Sequence, residues 1–220
     1  MKLISLQKLI SLHLVVQASV LAIFISAAVC ADDKGNAGLS KHTFEAKLEY
    51  CTTCHGLSGQ GYRAYYAMPR LAGQQPKYLE NQLRAFTERR RTNPIMSNVA
   101  HALTPSMITA LAAHFRELNP KPLGGAPMGP AAQGKEIYDK GLPEANVAAC
   151  SACHGTEGKG QDEIPRLAGQ LYTYTVKVLT NWGKERGQGS SDASAIMAPT
   201  ARNLSQSQIS AVAAYVSSLK

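Results

Sequence analysis

Two stretches carry apolar residues at the same helical spacing: Ile108, Leu111, Ala112 and Phe115, then Ile209, Val212, Ala213 and Val216. Steps of three and four residues place each set on one face of an α-helix. Both patterns have a start signal. Thr104 stands as N-cap with Pro105 at the first helical position, where a missing N–H costs nothing. Ser205 takes the same place in the second stretch, and Gln208 completes a capping box. Helices are also predicted over Lys41–Tyr50 and Gln133–Lys140. The N-terminus reads differently. Lys2 and Lys8 precede an apolar run from Leu9 to Val29, then small residues, then Asp32 and Asp33. This predicts a secretory signal peptide over residues 1–31, cleaved near Val29-Cys30-Ala31. Cys30 leaves lipid attachment as the alternative. No other stretch reaches the roughly 18 apolar residues that suggest a membrane span.

The helical patterns belong to a longer repeat. Gly56-x-x-Gly59-x-Gly61 returns as Gly155-x-x-Gly158-x-Gly160, and Pro69-Arg70-Leu71-Ala72-Gly73-Gln74 as Pro165-Arg166-Leu167-Ala168-Gly169-Gln170. Tyr78 matches Tyr174, Leu83 matches Leu179, Phe86 matches Trp182, Arg90 matches Arg186, and Ile95-Met96 matches Ile196-Met197. A unit of this length is a domain rather than a solenoid repeat. The stretch from Asn119 to Pro130 is rich in Pro and Gly and cannot continue a helix. The expected organisation is therefore a helical domain over 32–118, a linker over 119–130, and a second helical domain over 131–220.

Chemistry enters with a doubled pentapeptide, Cys51-Thr52-Thr53-Cys54-His55 and Cys150-Ser151-Ala152-Cys153-His154. Cys-x-x-Cys-His is the attachment signature of c-type haem. Two thiols at that spacing reach the two vinyl groups of one haem, and the following His is held against the iron. The sequence thus predicts two haem c groups, bound covalently by Cys51 and Cys54 and by Cys150 and Cys153, with His55 and His154 as axial ligands. A structural zinc site would bring its cysteine pairs much closer in sequence, and a thioredoxin-like pair would need a strand–helix–strand setting. Outside the predicted leader every cysteine belongs to a haem motif, so no structural disulfide is expected.

The formal net charge is +8, with Lys2 and Lys8 inside the predicted leader. Haem propionates would offset much of the remainder, and there is no nucleic-acid motif, so nucleic acid is not an expected partner. Arg84, Arg89, Arg90 and Arg91 cluster locally. A solvated helix end and a docking patch are both open readings of that cluster.

An electron carrier needs a second axial ligand on each iron. Met96 and Met197 hold equivalent places in the repeat, in segments expected to be loops just before the last helix of each half. His/Met ligation is the pattern of a cytochrome c site and raises the potential relative to bis-His. Met68, Met107 and Met128 lack a methionine counterpart and read as packing or loop residues. His42, His101 and His114 are the bis-His alternatives, and none recurs in the other half.

These features resemble the dihaem cytochromes c4, which are built from two class I cytochrome c domains. The paired Cys-x-x-Cys-His-Gly motifs, both Pro-x-Leu-Ala-Gly-Gln segments, the two Met segments and Gly141–Cys150 carry the resemblance. It implies an all-α fold of two tandem domains, each wrapped around one covalent haem c, and no catalytic residue. It implies a periplasmic electron carrier donating to a terminal oxidase, with cytochrome oxidase, the bc1 complex or a dehydrogenase as redox partners. Peripheral membrane association stays open. It also implies that the Pro69 and Pro165 carbonyls receive the N–H of His55 and His154. The alternatives are a cytochrome subunit of a dehydrogenase complex, or a haem enzyme of the peroxidase or thiosulfate dehydrogenase type. Half one departs from half two by three extra residues before Pro69, where Tyr62, Tyr65 and Tyr66 lie, and by His114 against Tyr215.

Overall fold

Helices form where the apolar stripes and their caps lie. The computed structural model describes residues 39–127, 129–186 and 193–220. The predicted signal peptide, Cys30 and Met128 lie outside the described residues. In the first half the helices are α1 (Lys41–His55), α2 (Pro76–Thr87), α3 (Pro94–His101) and α4 (Pro105–Glu117). In the second they are α5 (Ala131–Lys140), α6 (Ser151–His154), α7 (Tyr172–Thr180), α8 (Trp182–Glu185), α9 (Ala193–Asn203) and α10 (Gln206–Ser218), with a 3-10 turn at Pro143–Ala145. There are no β-strands among the described residues, only isolated bridges at Tyr62–Met68, Leu142–Val147 and Gln161–Ile164.

Both expected caps are present. Thr104 Oγ1 accepts the Met107 N–H at 3.2 Å, with Pro105 in the first turn. Ser205 and Gln208 form the full capping box, the Gln208 side chain accepting the Ser205 N–H at 2.8 Å. The stripes they launch are buried: Ile108, Leu111, Ala112 and Phe115 on α4, and Ile209, Val212, Ala213 and Val216 on α10. α10 crosses α5, joining Ile137, Tyr138 and Val147 to Ile209, Val212 and Val216 in one core. α4 packs on α1 and α2, where the Phe44 and His114 rings meet edge-on at 5.8 Å. The matching contact in half two is Tyr138 with Tyr215 at 5.3 Å, so His114 does stand where Tyr215 stands.

The halves differ at the approach to the first cysteine. In half one the helix runs unbroken from Lys41 to His55, past the expected end at Tyr50. In half two it stops at Lys140, where Gly141 takes φ 70° and Pro143 and left-handed Asn146 (φ 54°) make a turn closed by the Leu142–Val147 bridge. Helix then resumes only for Ser151–His154. Lys41–Lys220 forms one compact unit, so the two repeats pack on one another.

The α5/α10 crossing depends on a residue without a side chain. A Cβ at Gly134 would overlap the Ala211 carbonyl. We therefore expect Gly134→Ala to lower stability by about 1–3 kcal/mol, the usual range for overpacking, and Ser205→Ala by about 1 kcal/mol through the lost cap. Urea midpoints with an unchanged slope are the measurement.

Candidate functional site

Each Cys-x-x-Cys-His motif ends on a buried histidine at the C-terminus of its helix. His55 Nδ1 lies 2.9 Å from the Pro69 carbonyl oxygen, and His154 Nδ1 lies 2.9 Å from that of Pro165. A carbonyl can only accept, so Nδ1 carries the proton and donates, leaving Nε2 with its lone pair free. Burial pushes both imidazoles toward the neutral form against the pull of these carbonyls, and Arg91 adds to the downward push on His55. A neutral imidazole with Nδ1 engaged and Nε2 free is the form that ligates a metal.

A loop built from the repeated glycines holds that geometry. The Gly61 N–H donates to the His55 carbonyl at 2.8 Å, and the Gly160 N–H to that of His154 at 2.9 Å. Gly59 and Gly158 each accept from the two residues of the Leu-Ala pair, Leu71 and Ala72 or Leu167 and Ala168, at 2.7–2.9 Å. Gly61 and Gly160 have φ of 87° and 64°, and a side chain at either would meet the backbone carrying Met68 or Ile164. The Gly pattern thus brings Pro69 and Pro165 back over their histidines.

None of the four motif cysteines is in a disulfide. Cys51 and Cys150 are half-buried while Cys54 and Cys153 are exposed. Burial pushes the Cys51 thiol up, and that of Cys150 up to about 11.

Met96 and Met197 lie on helices rather than in loops. Met96 is the third residue of α3, its N–H capped by Asn93 Oδ1 at 3.0 Å, with Pro94 in the first turn. Pro94 marks a helix start, which the loop expectation overlooked. Met197 sits on α9 two residues before Pro199, which lies inside that helix. Both are half-buried beside exposed isoleucines, Ile95 and Ile196. Met197 packs on Val178, Trp182 and Ala201. Nearby lies an open, mixed-polarity cavity of about 250 Å³, with Leu179, Trp182 and Ile209 on its wall beside Thr180, Arg202 and Gln206. α3 packs on α2, and α9 on α7 and α8. Neither methionine helix packs directly on the helix bearing its histidine. Met107 is fully within the core, as expected, and His101 is tied to the Ser97 carbonyl through Nδ1 at 2.7 Å.

Where the halves meet lies a cluster of cations that no carboxylate among the described residues neutralises. Arg186 donates to Tyr78 Oη at 3.2 Å, Gln82 Oε1 at 3.1 Å and Tyr174 Oη at 3.4 Å. Arg91 donates to Gln82 Oε1 at 2.9 Å and Tyr174 Oη at 2.8 Å. Each guanidinium stacks on the aromatic residue of its own half, Arg91 over Phe86 at 4.6 Å and Arg186 over Trp182 at 5.0 Å. The counterpart of Arg186 is therefore Arg91 and not Arg90. Arg89 accounts for the shift, a non-glycine residue at φ 59° whose extra position turns Arg91 inward.

The basic cluster consequently does not act as one patch. Arg84 pairs with Glu80, Arg90 pairs with Glu88, and half-buried Arg91 turns toward Tyr174 of the other half. Only Arg89 among the four is both exposed and outside these contacts.

Three buried donors are left without an acceptor among the described residues: Arg186 Nε, Trp182 Nε1 and Arg70 Nη2. Burial and the neighbouring Arg166 push the Arg70 guanidinium down to about 10. Buried cations and N–H groups without partners are costly. An anionic group carrying carboxylates satisfies both needs. A haem with two propionates fits this donor set, the free Nε2 of each histidine and the paired thiols.

Comparison with known proteins agrees with this chemistry. The family model described as "Cytochrome c" matches residues 41–120 and again 131–220. The chain is 37% identical over 180 residues to a cytochrome c4 from Thiocapsa roseopersicina, covering 80% of this chain and 90% of that one. It is 35% identical over 173 residues to a protein of Thiomonas intermedia named thiosulfate dehydrogenase electron acceptor, covering 76% of each. The solved structure of a cytochrome c4 from Acidithiobacillus ferrooxidans superposes with a TM-score of 0.67 at 36% identity, over 78% of this chain and 99% of that one.

The inward-turned and exposed arginines should separate cleanly. Arg91→Ala removes one of the two arginine donors shared by Tyr174 and Gln82, and we expect a loss of about 1–3 kcal/mol. Arg89→Gly relieves a left-handed residue and is expected to be neutral or stabilising by up to about 1 kcal/mol. Paired denaturation curves of the two variants check this.

Proposed function

The chain belongs to the cytochrome c family, and on that premise we propose that Cys51, Cys54, Cys150 and Cys153 attach its two haem c groups while His55 and His154 bind the irons. It is a dihaem, cytochrome c4-like electron carrier rather than an enzyme. The observation that carries the site assignment is the doubled motif in which both histidines give Nδ1–H to a proline carbonyl and keep Nε2 free. When bound, the haems would supply a one-electron couple.

The residues of the chain do the rest. His55 and His154 are held in one tautomer and one ring orientation by Pro69 and Pro165. Met96 and Met197 are assigned as the sixth ligands, on their equivalence in the repeat. A thioether on each iron raises the potential and closes the position at which substrate would bind. Arg91, Arg186, Tyr78 and Tyr174 are assigned to the propionates, where the charge of the two arginines would meet an anion. We place the domain boundaries at 32–118 and 131–220, with the linker over 119–130.

The carrier is placed in the periplasm, following cleavage of residues 1–31 during export. Among the described residues no helix is long and apolar enough to cross a membrane. Two partner assignments follow. A terminal oxidase as acceptor is the first. The second has a dehydrogenase as donor, and the likeness to a thiosulfate dehydrogenase electron acceptor favours it. The two are compatible, since a carrier needs both a source and a sink. Mixing purified protein with thiosulfate and its dehydrogenase, then with oxidase-bearing membranes, tests each arm. Reduction in the first mixture and reoxidation in the second are the expected results.

Intact mass under denaturing conditions is expected to equal the cleaved chain plus two haems, and a single haem or acid-extractable haem would contradict the attachment. Met96→Ala and Met197→Ala are each expected to lower one potential and turn one haem high-spin while leaving the other as it was. If Met68→Ala has that effect instead, the sixth ligand of the first haem is misassigned.

A further inference from the structure

The two copies of Pro-Arg-Leu-Ala-Gly-Gln do more than shape their own loops. Each copy reaches into the other. Gln170 Oε1 accepts the N–H of Arg70 at 2.9 Å, while Gln170 Nε2 donates to the Arg70 carbonyl at 3.1 Å. Reciprocally, Gln74 Oε1 accepts the N–H of Arg166 at 2.7 Å, and Gln74 Nε2 donates to the Arg166 carbonyl at 3.0 Å. Each Oε1 also accepts the N–H of the next residue in its own chain segment, Gln75 or Leu171, at 2.9 Å. With two N–H groups aimed at one end and a carbonyl at the other, the carboxamide has a single orientation. Both glutamines are buried, at 5% and 8% exposure. The same residue of the same motif makes the same two bonds in each direction, a two-fold pairing within one chain.

The chemical point lies in which peptide each glutamine holds. The Arg70 N–H and the Pro69 carbonyl belong to one amide group. Its oxygen accepts from His55 and its nitrogen donates to Gln170. The Pro165–Arg166 amide stands likewise between His154 and Gln74. A hydrogen bond accepted from an amide N–H shifts electron density toward the amide oxygen and strengthens that oxygen as an acceptor. A stronger acceptor draws the imidazole Nδ1 proton harder and makes Nε2 a better electron donor to a bound metal. Electron donation of that kind stabilises the oxidised metal and lowers its potential.

We propose that Gln170 and Gln74 are crossed positioning residues: each sets, through one peptide group, the electron donation of the axial histidine in the opposite domain. The potential of the first haem then depends on a side chain of the second domain, and the reverse. This rests on the assignment of His55 and His154 as axial ligands. A change in how the domains pack would reach both potentials through these two bonds.

The test uses the full dihaem protein and four variants, with each potential assigned to its domain by NMR of the haem methyl groups. Gln170→Leu removes the acceptor and is expected to raise the potential of the first haem while leaving the second in place. Gln74→Leu should raise only the second. Gln170→Glu and Gln74→Glu keep an oxygen at the same position and add charge. They are expected to shift the opposite domain's haem downward, further than the haem of their own domain. The Nδ1 proton resonance of the reduced protein gives a second readout, expected to move upfield for His55 alone in Gln170→Leu and for His154 alone in Gln74→Leu. Simple interface contacts would lower the unfolding midpoint without this crossed pattern or its reversal of sign. If the leucine variants do not fold, the glutamate pair decides alone by whether the larger shift falls in the opposite domain. Equal shifts at both haems, or none, would overturn the proposal. A wild-type protein without two attached haems, or whose histidine signals are not those of ligands, would instead remove the premise on which it stands.

Discussion

A buried imidazole can bind a metal through one nitrogen only if the other is satisfied, and much of this structure serves that condition. The Pro69 and Pro165 carbonyls meet it at 2.9 Å in both halves. To bring a carbonyl from 14 or 11 residues downstream onto the histidine, the chain must reverse sharply. The reversal needs glycine where φ is positive and where backbone passes close to backbone, at Gly61 and Gly160. It also needs the Leu-Ala N–H pair, whose bonds to Gly59 and Gly158 close the loop. The helices supply the rigid part. α4 and α10 bury their apolar faces against the segments leading into the cysteine motifs, so each motif is presented from a packed surface.

What could be read directly from the sequence was local. Thr104 with Pro105 and Ser205 with Gln208 cap their helices as read, because capping depends on residues three apart. The His–Pro pairing was reachable only through family resemblance, since a bond across 14 residues has no local signature. The methionine segments were expected to be loops, and the prolines within them did not signal the helices that form. Pro94 starts α3, and α9 accommodates Pro199 within it. The pairing of Arg90 with Arg186 failed for another reason. A register counted along the sequence does not see that Arg89 spends one position in a left-handed turn. Gln74 and Gln170 were visible as a repeated letter, but their partners lie in the other half, roughly a hundred residues away, where periodicity gives no information.

The placement of charge follows from burial. Guanidiniums that reach solvent find carboxylates: Arg84 has Glu80 and Arg90 has Glu88. Those turned inward have none among the described residues. Arg91 and Arg186 meet tyrosine hydroxyls, Gln82 and aromatic faces, and Arg186 Nε and Trp182 Nε1 keep unpaired N–H groups. Neutral hydroxyls do not balance a buried Arg186 and a half-buried Arg91 side by side. The arrangement makes physical sense as half of a pairing whose other half is anionic, which links the electrostatics of the interface to the cofactor that the cysteines attach.

A chain that repeats one unit twice would have two equivalent sites if sequence copies were structural copies, and here they are not. α1 runs straight into Cys51, whereas Gly141, Pro143 and Asn146 break the approach to Cys150. Tyr62, Tyr65 and Tyr66 project from the first half, at 59%, 93% and 69% exposure, and the second half has no matching aromatic loop. By contrast, the buried elements at the interface stay paired: Gln74 with Gln170, Arg70 with Arg166, Arg91 with Arg186. Divergence has been accepted on the surface and at the solvent-facing approach to each site, and refused where the halves hold one another. That division suits a carrier that must receive from one protein and give to another. Two different outer faces can recognise two partners, while a conserved inner frame keeps both sites in one fixed relation. The constraint on the inner residues is then mutual: a change at Gln74 alters the frame of the second site and a change at Gln170 that of the first, so neither half can drift without the other.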